Sequence, residues 1–229
     1  ITNHGAVAIG YRALKNLTSG EKNTAIGYEA LTTMTELDHN TAIGYQTLKA
    51  ASGSAGTGYN TAVGSVAGTA MTTGTGNSLL GAYAGTAITT GEKNVLVGQS
   101  AGLDITTANR NTAVGYEALR TEDADGDRCV ALGYQALYSQ NGTTEAMANT
   151  GLGYQTAFYN ATGIQNVYVG YQAGVGSSGY SNSNNVGIGY RALYLNRTGT
   201  ENVSIGKDSM RDATTSDGTV AVGAESLYN

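Results

Sequence analysis

Asp123, Asp125 and Asp127 alternate around Gly126, with Glu122 beside them. Alternating carboxylates at a glycine turn are how hard oxygen ligands converge on calcium. The distal glutamate that closes an EF-hand loop is missing, so a solvated acidic turn is the simpler reading. Gly174-Val175-Gly176-Ser177-Ser178-Gly179 matches G-x-G-x-x-G. A dinucleotide site needs a strand before that motif and a helix after it. In a chain with 34 glycines and no expected helix, composition accounts for the match. His4 and His39 stand apart in different segments, and Cys129 is the only cysteine. No Ser/His or Cys/His pair therefore presents itself for nucleophilic catalysis. Glycoside hydrolysis would need two carboxylates meeting across neighbouring segments. A regular column of tyrosines (Tyr11, Tyr28, Tyr45, Tyr116, Tyr134, Tyr154, Tyr171, Tyr190) could receive sugar rings on its faces. The other reading, which the sequence favours, has each ring packing on its neighbours with the hydroxyl in water.

The scaffold that positions these residues is a repeat. A word close to NTAIGYEAL recurs thirteen times, with its glycine at Gly10, Gly27, Gly44, Gly64, Gly81, Gly98, Gly115, Gly133, Gly153, Gly170, Gly189, Gly206 and Gly223. The steps are 17 residues in most cases and 18 to 20 in the rest. Counted from each glycine, position −1 is always Ile, Val or Leu, position −3 is Thr, Val or Ser, and position −2 is mostly Ala. Alternation with β-branched residues marks a strand of about four or five residues. After the glycine come Tyr, a small residue at +3 and Leu or Gly at +4, in a second short extended or single-turn piece. A loop often reading Thr/Ser-Gly-x-x-Asn comes next, as at Ser19–Asn23, Thr90–Asn94, Thr162–Asn166 and Thr198–Asn202. Its glycine is expected to supply positive φ in a tight turn.

A segment this short cannot bury its own apolar side, but stacked on its copies it can. The expected fold is all-β, a parallel β-solenoid of about 13 coils of about 17 residues. At one coil per strand spacing that makes a rod of roughly 60 Å. Residues 1–229 read as one repeat domain, a segment of a longer fibre. Asparagine at −4 (Asn23, Asn40, Asn60, Asn77 and onward) fits either a hydrogen-bonded ladder along the axis or a cap on each local turn. Cys129 occupies this column and reads as a small buried substitute.

Four insertions fall at one phase of the repeat: Lys49–Tyr59, Arg120–Arg128, Tyr138–Ala148 and Val175–Asn184. Insertions at one phase project from one edge and often form the binding face. Tyr59, Tyr138, Asn141, Tyr180 and Asn182 are the candidate receptor contacts, and the three aspartates lie in the second insertion. Charged residues are only 13%, and Pro and Trp are absent. The net charge of −5 without a Lys/Arg cluster argues against nucleic acid. No apolar run approaches a membrane span. Asn-x-Ser/Thr triplets, such as those beginning at Asn16, Asn141, Asn160 and Asn196, are expected by composition alone.

NTAIGYEAL, NTAVGYEAL and NVGIGYRAL, with Gly-x-x-Asn turns between them, resemble the head repeats of YadA-type trimeric autotransporter adhesins. They are also similar to repeats in bacteriophage tail-fibre proteins. The resemblance covers the whole chain, although the adhesin repeat is shorter and lacks Tyr after the glycine. It implies a left-handed parallel β-roll, three chains side by side, and an extracellular or virion-surface location. No catalytic residue or cofactor is carried over. The Ala-rich face at −2, with the Ala13-type positions, would let neighbouring chains approach closely. The expected function is a structural and receptor-recognising fibre segment, foremost a viral tail fibre binding a cell-surface glycan or protein. A bacterial surface adhesin or filament subunit, stacking end to end through open strand edges, is the second reading. A polysaccharide-degrading enzyme is the third.

Overall fold

The structure is a computed structural model that describes residues 5–53, 56–121, 127–142 and 147–228. It is all-β. The chain divides into two compact units, Ile1–Asn111 and Thr112–Asn229.

In the first unit, β1 (Val7–Ile9), β2 (Thr24–Ile26), β4 (Thr41–Ile43), β6 (Thr61–Val63), β7 (Ser78–Leu80) and β8 (Val95–Val97) lie side by side in that order. Two further strands, β3 (Leu37–Asp38) and β5 (Gly56–Thr57), form a separate parallel pair. In the second unit β9 (Thr112–Val114), β10 (Val130–Leu132), β11 (Thr150–Leu152), β12 (Val167–Val169), β13 (Val186–Ile188), β14 (Val203–Ile205) and β15 (Val220–Val222) do the same. Each strand of these two ladders is three residues, shorter than the alternation suggested, because the glycine ends it on one side and, in most coils, Asn on the other. All of these pairs are parallel and in register, column on column. Ile43 faces Val63 although their coils are 20 residues apart, so the insertions leave the ladder undisturbed.

The repeat glycine has φ between 127° and 142° at each coil, a region that only glycine occupies readily. It also lies against the next coil. A Cβ at Gly133 would stand 2.7 Å from the Gly153 carbonyl carbon. The segment past the glycine is neither strand nor helix. Its positions +2 and +4 are both left-handed, as in Glu29 (54°) with Leu31 (50°) and Gln135 (51°) with Leu137 (51°). That conformation costs a non-glycine residue roughly 1–2 kcal/mol, which the cross-coil bonds of the same segment offset: Glu29 N–H donates to Tyr11 at 2.8 Å and Leu31 N–H to Thr47 at 3.1 Å.

The interior corrects one expectation. Position −2 points inward, not toward a neighbouring chain: Ala25, Ala42, Ala62, Ala113 and Ala131 are fully buried. So are the +3 alanines Ala30, Ala67, Ala84 and Ala101. A coil of 17 residues encloses too little room for two large side chains at one level. Alanine at −2 is therefore usually met by leucine at +4 in the same coil, as with Ala25 and Leu31, or Ala131 and Leu137; Ala62 is met by Gly68, where Leu48 and Leu79 of the adjacent coils fill the space. Where −2 is large, +4 is glycine. Leu96 goes with Gly102, and a Cβ there would meet the Leu96 Cδ1 at 2.7 Å. Leu79 goes with Gly85, whose Cβ would come within 3.1 Å of it. Tyr168, fully buried, goes with Gly174 and is flanked at −2 by Gly151 and Gly187 on the coils beside it. Its hydroxyl donates to Asn182 Oδ1 at 2.6 Å, and burial raises its pKa.

The −4 asparagines form a ladder. Asn77 Nδ2 donates to Asn60 Oδ1 at 3.2 Å and to the Gly91 carbonyl at 2.8 Å. Its own Oδ1 accepts from the backbone N–H and the Nδ2 of Asn94, both at 3.0 Å. Asn166, Asn185 and Asn202 repeat the pattern in the second unit. Every amide hydrogen and lone pair is used, which is what burial of an amide requires. Cys129 is fully buried in this column.

A second correction concerns the turn glycines Gly20, Gly91, Gly163 and Gly199. None has positive φ. They are glycine because the next coil leaves no room: a Cβ at Gly91 would stand 2.6 Å from the Ala108 carbonyl oxygen. The left-handed residue lies two positions later, at Lys22, Lys93, Gln165 and Glu201.

Candidate functional site

Each unit presents three kinds of surface. The first is the outer side of the sheet. With −2 inside, period two sends −3 and −1 outward, and these side chains meet water: Ile9 is 58% exposed, Leu80 52%, Leu132 44% and Ile188 38%. The one column that is aliphatic in all repeats is thus an outward-facing stripe.

The second surface lies past the glycine corner. In the first unit Tyr11, Tyr28 and Tyr45 stack with centroids 5.2 and 5.3 Å apart. In the second unit Tyr116, Tyr134, Tyr154, Tyr171 and Tyr190 stack at 5.0–5.3 Å, within 13° of parallel. The faces of the inner rings are occupied by one another, which leaves edges and hydroxyls to solvent. Beside this stack runs a column of +2 side chains. Gln135 Nε2 donates to Glu117 Oε2 at 2.8 Å, Gln155 Nε2 to Gln135 Oε1 at 2.9 Å, Gln172 Nε2 to Gln155 Oε1 at 3.1 Å, and Arg191 Nε to Gln172 Oε1 at 3.2 Å. The bonds all run the same way, from a guanidinium at one end to a carboxylate at the other. The Glu117 charge, with burial second, raises the Tyr116 pKa.

A third column, at +5, closes the far side. Tyr138 stacks on Phe158 at 4.7 Å and accepts a hydrogen bond from Arg120 Nη1. Arg191 lies 5.1 Å from the Tyr190 ring and 5.3 Å from the Tyr194 ring, so the polar column sits between two aromatic ones. In the first unit the +2 position instead builds an ion cluster. Glu29 receives Lys49 Nζ at 2.8 Å, Gln46 Nε2 at 2.9 Å and Arg12 Nη1 at 3.3 Å. The Lys49 bond, then that of Gln46, holds its carboxyl below the ordinary range.

The insertions are the third surface. Tyr59 is 58% exposed and meets His39 edge-on at 5.2 Å. Tyr180 is 46% exposed, with the Arg197 guanidinium 5.5 Å from its ring. Asn141 is exposed, and its N–H donates to Ala161 at 2.7 Å. Tyr138 is half-buried in the aromatic column just described. Asn182 does not belong with them. It is buried at 2% exposure, holding the Tyr168 hydroxyl and donating to the Asn196 carbonyl at 2.9 Å. Its side chain is part of the interior, because the end of that insertion folds back into the coil: Asn184 N–H donates to Ile164. Asn160 and Asn196 are likewise buried, whereas Asn16 is exposed.

Of the three aspartates proposed for calcium, Asp123 and Asp125 lie outside the described residues, as do Glu122 and His4. Asp127 is buried at 5% exposure. Among the described residues no group of three His, Cys, Asp or Glu gathers as metal ligands would. Asp208 and Glu225, the carboxylates on consecutive coils at +2, both meet Lys207, at 3.6 and 3.7 Å. They are ion-paired; Glu225 is exposed, whereas Asp208 is buried at 9% exposure. The +2 ladder and the pairing of −2 with +4 were both present in the sequence as columns. They become visible only when residues of unlike type in one column are compared between neighbouring coils.

A scan against protein-family models and searches of curated proteins and of solved structures returned no match.

Proposed function

We propose that this chain is a segment of an attachment fibre, foremost a viral tail fibre, at the virion surface or outside the cell. Its coils serve as a shaft and its exposed columns and insertions recognise a cell-surface glycan or protein. A bacterial surface adhesin or extracellular filament subunit is the second reading, and we assign the chain no catalytic role. The outward aliphatic stripe carries the proposal. One Ile, Val or Leu per coil faces water in both units, in strict register, and a contiguous apolar surface of this kind marks an association site. A homotrimer of left-handed coils, as in the adhesin heads the repeats resemble, would cover it. The stripe replaces the buried −2 alanines as the proposed lateral contact. No helix among the described residues is long and apolar enough to cross a membrane.

The test has two arms. The folded protein should have three times the mass of the 23.4 kDa chain at micromolar concentration, and a monomer there would reject the trimer. A fluorescently labelled chain should bind saturably to the surface of some members of a panel of bacterial and host cells. Failure to bind any of them would reject the attachment role.

A further inference from the structure

We infer that the amide column of the second unit is a binding strip for a linear, neutral polysaccharide chain lying along the coil axis. This deepens the attachment reading and rests on it. The inference starts from the valences of Gln135, Gln155 and Gln172. A primary amide offers two N–H donors and two acceptor lone pairs. In the ladder each spends one N–H on the coil before and one lone pair on the coil after. One donor and one acceptor of each remain, on half-exposed side chains. They recur once per coil beside the tyrosine stack, with the +5 aromatics Tyr138, Phe158 and Tyr194 on three of the ladder's coils.

The period of that pattern selects the ligand. Neighbouring tyrosine rings repeat at 5.0–5.3 Å, following the coil spacing of about 4.8 Å. A pyranose unit in an extended β-1,4-linked chain advances by nearly the same distance; alternate units are turned over, but each carries on either side hydroxyls that both donate and accept. An extended peptide repeats its outward groups every two residues, at about 6.6 Å, and falls out of step within two coils. Single-stranded nucleic acid is a polyanion. The central three positions are uncharged, Glu117 at one end is balanced by Arg191 at the other, and the whole chain carries −5, so an acidic polymer is disfavoured. The stacked rings, whose faces are already taken, act as a wall of edges and hydroxyls. The pairing of donor and acceptor at each coil, not a sugar lying on an aromatic face, is what recognises the chain.

The experiment is calorimetric titration of the full chain with β-1,4-linked glucose and N-acetylglucosamine oligomers of increasing length. Affinity should rise with each unit until about five units span the ladder's five coils, then level off, and should change little with added salt. Gln155→Met, close in shape without the amide, should weaken binding about tenfold with the circular dichroism unchanged, and Gln46→Met in the first unit should leave it unaltered. Absence of binding to either series, affinity independent of length, or equal affinity in Gln155→Met would overturn the assignment. The length series on the unaltered protein decides the matter even where a variant fails to fold. A Gln135→Met/Gln155→Met/Gln172→Met chain that still labels target cells as the parent does would overturn the strip while leaving the attachment role standing.

Discussion

At Gly133 two independent constraints coincide: a φ of 136° and a neighbouring carbonyl carbon 2.7 Å from where a Cβ would stand. Gly133→Ala should therefore destabilise the second unit by about 3 kcal/mol or more, strain and overpacking adding. Urea unfolding followed by circular dichroism measures it; the same change at Gly179, with nothing within 4 Å, should cost far less. Asn77 makes the complementary point with a polar side chain. Asn77→Ala strands the Gly91 carbonyl and the Asn94 N–H in the interior. The expected loss is about 3 kcal/mol, read from the same unfolding curves or from faster amide exchange at Asn94.

At the scale of one coil, the interior is a fixed volume shared between −2 and +4. Leu96→Ala alone should cost about 2–4 kcal/mol through the cavity it leaves. Gly102→Leu alone should cost about 1–3 kcal/mol by collision with Leu96 and with Ile105, each 2.7 Å from a Cβ there, since φ of 57° is already the conformation leucine adopts at Leu31 and Leu48. The double variant should recover part of both losses, because it restores the alanine and leucine of the Ala42 and Leu48 coil while Ile105 stays where that coil has Ala51. A double-mutant cycle by denaturant titration measures the coupling, and simple additivity would refute the shared volume. The Glu29 cluster sets a pH dependence on the same scale. Its carboxyl is held below the ordinary 4.5 by the Lys49 bond first, so the folded form binds its proton less readily than the unfolded chain does. That contribution is present above about pH 4.5 and fades as acid approaches the lower folded value. Melting temperature of the first unit should fall over that window, less so at high salt, and Glu29→Gln should flatten the fall.

For the whole molecule the decisive property is association through the outward stripe. Val97→Lys or Leu132→Lys places a charge on a surface that needs no burial within the unit. The isolated fold should persist by circular dichroism while sedimentation shows the trimer dissociated. A trimer unaffected by both would move the contact elsewhere.

The coil itself is legible in the order of residues. Thirteen glycines at near-constant spacing, an aliphatic −1 column and asparagine at −4 suffice for parallel in-register stacking, since the same residue must meet its own copy once per turn. The insertion sites, too, are read from spacing alone. Which side of a three-residue strand lies inside is a property of the packed molecule. Period two marks two faces without naming the buried one, and the intuitive choice, aliphatic in and alanine out, is reversed because the second half of each coil already fills the interior with leucine. The turn glycines show the same limit. A list of residues displays a glycine, but only the neighbouring coil reveals that Gly91 lacks room where the repeat glycines need both room and a positive φ. The amide ladder and the burial of Asn182 belong to the same class, because contacts between residues far apart in the chain depend on how consecutive coils superpose.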